Sequence, residues 1–405
     1  MTNEVLQKTA SDEQNVSSSN GLEPKLRFPN FIEKWTRFEA ENIFKNITDK
    51  NHPTDTVLTI QQGRGTLPRD LSGRNILYDN TNTKNYKRVQ FGDFIIHLRS
   101  FEGGLEMANE QGIVSPAYTI LRYIKPIAFG FYKAYFRTNE FINHILSKSV
   151  EGIRDGKQIS YDAFKWLAIP YCQLEEQQKI ADFLSLVDQR IEKQRQLVES
   201  LKKYKRGLFL KLYNDSDKSI ISFKNIYEMA SEGGTPSTSD SENYENGKIP
   251  FIKIDDLNQH YLNFAKYFIT EKGLKKSSAW IVPENSIIYS NGATIGACSI
   301  NKIPVTTKQG ILGIVPKSNF SVEFLYFFFT SSIFKQKIRA ITTKGTMDCA
   351  YLKDINGIKI SIPDFIAQQK IAKIMVDFEN LIERTELSFI YLQNIKKALL
   401  QQMFI

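Results

Sequence analysis

One stretch of this chain occurs twice, 191 residues apart, and the repeat restricts the fold more than any other feature. Gln177-Gln178-Lys179-Ile180-Ala181 recurs as Gln368-Gln369-Lys370-Ile371-Ala372, and the alignment runs on without a gap to Tyr213 and Phe404. An Ile-Pro step precedes each copy, Ile169-Pro170 and Ile362-Pro363. It should end an extended segment, since proline has no N–H to give a β-ladder. A seven-residue apolar pattern then predicts a long helix in each copy. Ile180, Leu184, Val187, Ile191, Val198, Leu201, Leu208 and Leu212 form one seam; Ile371, Met375, Phe378, Ile382, Phe389, Leu392, Leu399 and Met403 form the other. Polar residues interrupt both seams at matching levels, Gln194 with Thr385 and Lys205 with Lys396. Helices with the same seam and the same defects are suited to pack antiparallel on each other about a pseudo-two-fold axis, over roughly 48 Å at about 1.5 Å per residue. Two unrelated amphipathic helices, each covering its own domain, are the alternative, and the shared defects count against it.

With 405 residues, 41% of them hydrophobic and 12% aromatic, the chain can build two or three real cores. The net charge of +9 points to an acidic partner, nucleic acid or an anionic surface. No apolar run reaches about 18 residues, and the N-terminus lacks the basic and apolar regions of a secretory signal, so a cytoplasmic protein is expected. Cys172, Cys298 and Cys349 are far apart, and His52, His97, His144 and His260 form no metal-type pair. Reduced thiols and no zinc site are therefore expected.

The repeat divides the chain into a disordered tail (1–24), a first variable block (25–160), a first helical region (161–213), a linker (214–219) rich in helix-breaking residues, a second variable block (220–350) and a second helical region (351–405). Both blocks open alike, Asn42-Ile43-Phe44 matching Asn225-Ile226-Tyr227, which implies a short entry helix in each. Inside the blocks, residues 89–96 and 281–289 place a turn before a β-prone run, and residues 249–254 read as another strand. Short helices are expected at 132–146 and 322–334. The fold class is thus α+β: two globular blocks, each followed by a long helix.

Catalytic constellations are hard to find. Methyl transfer to a base usually involves a glycine-rich turn and an aromatic-bearing Asn/Asp-Pro-Pro loop, and the chain has no Pro-Pro. Gly152-Ile153-Arg154-Asp155-Gly156-Lys157 lacks the glycine spacing of a phosphate loop and puts Gln158 where a magnesium-binding hydroxyl belongs. Asp155 and Lys157 form a D-x-K pair, which with an upstream carboxylate could hold a nuclease metal, but no Pro-Asp precedes it at suitable spacing.

Residue types used in base readout are denser. Gln61, Gln62, Arg64, Arg69 and Arg74 lie in a glycine-punctuated segment, followed by Lys84, Asn85, Lys87 and Arg88, then His97 and Arg99. Arginine and lysine can bond guanine O6 and N7, and asparagine and glutamine can read adenine. Arg154, Lys157 and Gln158 form a further polar loop at the rim of the first block. In the second block, Thr235 and Ser237 sit in Gly233-Gly234-Thr235-Pro236-Ser237, while Asn291, Thr294, Lys308, Gln309, Thr343 and Lys344 occupy further polar loops. Lys344-Gly345 stands just ahead of its repeat, as residues 154–158 do in the first half.

The Ile-Pro step, with Glu175-Glu176-Gln177-Gln178-Lys179-Ile180-Ala181 and Ala367-Gln368-Gln369-Lys370-Ile371-Ala372 leading into heptad helices, closely resembles the two conserved regions of type I restriction-modification specificity subunits. Gly233 to Ser237, with Gly247-Lys248-Ile249-Pro250-Phe251-Ile252, also resembles the start of a target recognition domain of that family. The resemblance implies two target recognition domains that each read one half of a split double-stranded DNA target, held apart by the paired helices, in a subunit without catalysis. It implies partners as well: two methyltransferase subunits using S-adenosylmethionine to modify adenine, and two motor-nuclease subunits using ATP and magnesium to translocate and cleave. The second copy departs from the family pattern at Ala367, where a glutamate is frequent. Two other readings remain open: a coiled-coil scaffold joining two proteins without binding DNA, and a free-standing nuclease built on Asp155 and Lys157.

Overall fold

In a computed structural model of the protein, the described residues are 23–72, 80–96, 104–151, 158–257, 259–292, 294–343 and 348–405. The expected tail lies almost wholly outside them. The long helices span Leu174–Asn214 and Phe365–Gln402. All sixteen seam residues read from the sequence are buried or half-buried. The chain divides into two compact units, residues 1–194 with 388–405 and residues 195–387. The division falls inside both helices, so each unit contains the first half of one helix and the second half of the other. The expected linker, 214–219, lies inside the second unit, running from the last residue of the first long helix into strand Lys218–Ser222.

Within each unit the two helix segments run antiparallel, and the lysine interruptions of the seams make ion pairs. In the first unit Lys396 bonds Asp188; in the second, Lys205 lies 2.8 Å from Glu379. These two pairs are the same pair in the two copies of the repeat. Lys202 and Glu386, 2.6 Å apart, add a pair in the second unit, and the repeat puts Gln393 and Arg195 at the matching sequence positions. Thr385, at the other polar level, turns its hydroxyl back to the Leu381 carbonyl.

In the first unit, strand Thr36–Glu39 pairs antiparallel with Ala168–Tyr171, so Pro170 lies in a two-stranded ribbon, and its carbonyl accepts from the Tyr132 hydroxyl at 2.9 Å. An antiparallel four-stranded sheet follows the order Phe44–Ile47, Thr119–Tyr123, Phe94–Ile96, Leu105–Met107. Its aromatic core of Trp35, Phe44, Phe94, Phe131, Tyr132 and Phe136 receives Ile180, Ala181 and Leu184 from one long helix and Met403 and Phe404 from beyond the end of the other. The second unit repeats the entrance: Lys218–Ser222 pairs antiparallel with Lys359–Pro363. A five-stranded sheet runs Tyr227–Glu232, Ile311–Pro316, Ile287–Ser290, Cys298–Asn301, Tyr261–Leu262, beside a three-stranded one of Tyr267–Ile269, Ile249–Ile252 and Thr306–Thr307.

The matched openings of the two blocks are single helical turns, Ala40–Asn42 and Phe223–Asn225. The two expected short helices are each broken. The first resolves into Phe129–Tyr135 and Glu140–Ile145, because the Thr138 hydroxyl donates to the Tyr135 carbonyl and accepts from the Phe141 N–H. The second resolves into Val322–Thr330 and Ser332–Ile341. Between them Ser331 leaves helical geometry at ψ 158°, and its hydroxyl caps the Phe334 N–H.

Candidate nucleic-acid interface

The repeated glutamine explains itself at atomic scale. Gln177 is fully buried; its amide donates to the Cys172 carbonyl at 2.8 Å and its oxygen accepts from the Ala128 N–H at 3.1 Å. Gln368 does the same, donating to the Pro363 carbonyl and accepting from the Ser321 N–H. Each therefore ties the strand before a long helix to the residue that opens a buried helix of its own unit, Phe129–Tyr135 or Val322–Thr330. The departure at Ala367 removes a carboxylate that the first copy uses. Its counterpart Glu176, 1% exposed, is held by Arg27 through two bonds of 2.7 and 2.8 Å, and Arg27 also bonds the Glu33 carbonyl.

The first-block residues separate into two groups. Strands Leu58–Gln61 and Gly65–Pro68 form a ribbon whose tip exposes Gln61, Gln62 and Arg64. Buried Glu106 anchors that tip: it accepts from the Gly63 N–H at 2.6 Å, the Gly65 N–H at 3.0 Å and the Arg137 guanidinium at 2.7 Å. The Asn109 amide bonds the Arg64 and Thr66 carbonyls. Gly63 and Gly65 have φ of 81° and 79°, and a Cβ at Gly65 would run into the Met107 carbonyl, so the turn requires glycine. Lys84 and Asn85 are exposed at the end of the short helix Asn80–Asn85.

The second group is committed within the protein. Lys87 donates to the Tyr118 carbonyl at 2.7 Å, and burial, with Lys50 nearby, pushes its ammonium below the ordinary lysine value. Arg88 lies 2.9 Å from Asp55. Arg69 is half-buried and lines a cavity with Asp55, Asp70 and Thr83. Arg74, His97, Arg99, Arg154, Asp155 and Lys157 lie outside the described residues, and Gln158 is described only as part of strand Gln158–Ile159.

In the second block, Thr235 and Ser237 are exposed; the Thr235 hydroxyl accepts from the Gln309 N–H, and the Ser237 hydroxyl lies 2.8 Å from that of Ser239. Lys308 and Gln309 are exposed at the turn before Ile311–Pro316. Glu232 accepts from the Gly310 N–H of that turn at 2.6 Å, and Gly310 has φ 84°. Asn291 is fully buried and its amide donates to the Ala350 carbonyl. Thr294 is exposed, and Thr343 pairs through its backbone with Cys349. Lys344 lies outside the described residues.

His260 carries no sequence signal of its surroundings. It is stacked between Tyr261 and Tyr326 at 4.0 and 3.9 Å, and its Nδ1 lies 3.3 Å from Glu379, which also meets Lys205. Burial opposes ionisation of the Glu379 carboxyl, but the bonds and charges of His260 and Lys205 outweigh it and hold the group below the ordinary range. Burial pushes the Cys172 and Cys298 thiols far up, which leaves them unreactive. Among the described residues, no group of three or more His, Cys, Asp or Glu could hold a metal ion, and no helix is long and apolar enough to cross a membrane.

The model of the type I restriction modification DNA specificity domain matches residues 38–203 and again 216–390. The specificity subunit of the MjaIX type I restriction enzyme of Methanocaldococcus jannaschii is 33% identical over 192 residues, 47% of this chain and 44% of that protein. The EcoR124I/EcoR124II specificity subunit of Escherichia coli is 29% identical over 37% of this chain and 38% of its own length. These matches thus span less than half the length of either relative. A putative type I specificity subunit of Mycoplasma genitalium is 21% identical over 95% of this chain and 97% of its own. The crystal structure of an S subunit from M. genitalium superposes with a TM-score of 0.53 at 18% identity, covering 95% of this chain and 99% of that one. A chain from a structural study of type I system assembly and conformational transition reaches 0.61 at 15% identity, covering 91% and 97%. With both halves matched by one domain model and the whole fold shared, the chain belongs to the type I restriction modification DNA specificity family, as a two-domain specificity subunit.

Proposed function

We propose that this chain reads a bipartite DNA target, one half with each unit, and directs adenine methylation and cleavage by partner subunits. The observation that carries the reading is the duplication itself: two units share a buried glutamine tie and a helix ion pair, yet present different exposed loops. A shared frame with divergent loops suits two different half-sites. In this reading the chain does no chemistry. Two methyltransferase subunits bring S-adenosylmethionine, and two motor-nuclease subunits bring ATP and magnesium.

Mapping N6-methyladenine in cells with and without this chain tests it. A split motif that disappears with the chain is expected, and the purified chain alone should neither methylate nor cleave DNA. Methylation that persists without the chain, or modification by the chain freed of partners, overturns the reading.

A further inference from the structure

The two units reach one construction by unrelated sequences. In the first, a tight turn with positive-φ glycines presents Gln61, Gln62 and Arg64, and the buried Glu106 carboxylate accepts the Gly63 and Gly65 N–H groups. In the second, a tight turn with positive-φ Gly310 presents Lys308 and Gln309, and the Glu232 carboxylate accepts the Gly310 N–H. None of these five tip side chains bonds another side chain or backbone group among the described residues, unlike Lys87, Arg88 and Asn291. Each tip combines an amide with a cation, the pair of side chains suited to adenine and guanine edges in the major groove.

We propose that these two tips are the base-reading elements of the two half-sites, and that Glu106 and Glu232 are positioning residues that fix the backbone beneath them. The inference rests on the specificity-subunit reading. A two-stranded ribbon such as Leu58–Gln61 with Gly65–Pro68 is one of the shapes that the major groove admits. Flexible glutamine and arginine side chains discriminate best from a backbone that is already set, because less freedom is lost on binding. A carboxylate accepting backbone N–H groups makes short, charge-assisted bonds that supply this rigidity. In the first unit Arg137 balances the anion, so it need not repel phosphate.

The test is the methylation motif of complexes assembled with the methyltransferase subunits. Gln62→Ala with Arg64→Ala should broaden one half-site, with discrimination at the affected bases falling about tenfold or more. Lys308→Ala with Gln309→Ala should broaden only the other. All four positions are exposed, so folding is not at stake. Glu106→Gln and Glu232→Gln should each broaden the same half-site as the tip above it. A merely structural defect would lower methylation at every site and leave the motif unchanged. Unchanged motifs in the tip variants overturn the proposal, as does a broadening of both halves by one tip. If the unaltered complex shows no sequence-specific methylation, the specificity-subunit reading itself fails and takes the proposal with it.

Discussion

At the scale of single residues, the buried glutamines set the terms of the fold. Replacing Gln177 by leucine keeps the volume but strands the Ala128 N–H and the Cys172 carbonyl away from water. At about 1–3 kcal/mol for each of the two unsatisfied groups, the first unit should lose roughly 2–6 kcal/mol. Urea unfolding followed by tryptophan fluorescence, with Trp35 in that core, measures the loss; an unshifted midpoint would refute it. Glu379 gives a pH signature. Its carboxyl is lowered in the folded chain, so its contribution to stability is present above the unfolded value of about 4.3 and disappears as pH falls through the lower folded value. Thermal unfolding of the parent chain should therefore lose more stability across that acidic window than Glu379→Gln does. Parallel pH profiles would show that the pairing with Lys205 and His260 has no such effect.

At the scale of elements, the long helices depend on their seam more than on their charges. Lys396 and Asp188 are 28% and 56% exposed, so this pair should contribute only about 0–1 kcal/mol. Lys205 and Glu379 are each 25% exposed, and the Lys205 ammonium lies over the Phe327 ring, so water screens the pair less. A double-mutant cycle at each pair should give the larger coupling at Lys205 and Glu379, although the two pairs are equivalent in the repeat. Equal couplings would show that the surroundings in the second unit add nothing. The broken helices show a different influence, since Thr138 and Ser331 end apolar runs that periodicity alone would continue.

At the scale of the whole molecule, function should be modular if the specificity reading holds. Exchanging residues 25–160 for the same block of a relative should change one half of the methylated motif and leave the other. Genome-wide N6-methyladenine mapping reads the outcome directly, and a change in both halves would defeat the modular reading. Gln177 stays in place in such an exchange, so the incoming block must supply a backbone N–H where Ala128 now gives one.

The sequence alone determined the duplication, the α+β class, the two long helices and the matched polar levels, because heptad spacing and proline steps are local signals that survive without coordinates. It also singled out Gln61, Gln62, Arg64, Lys308 and Gln309, though only among many polar residues of similar type. Tertiary structure decided which of those are displayed and which are spent. The partners of Arg88, Asn291 and His260 lie far along the chain, at Asp55, Ala350 and Glu379, and no local pattern records them. The same holds for Glu106, whose bonds to Gly63 and Gly65 cross about 40 residues and exist only once the ribbon folds onto its sheet. Carboxylates look alike in a sequence; burial and long-range hydrogen bonding are what turn this one into an anchor.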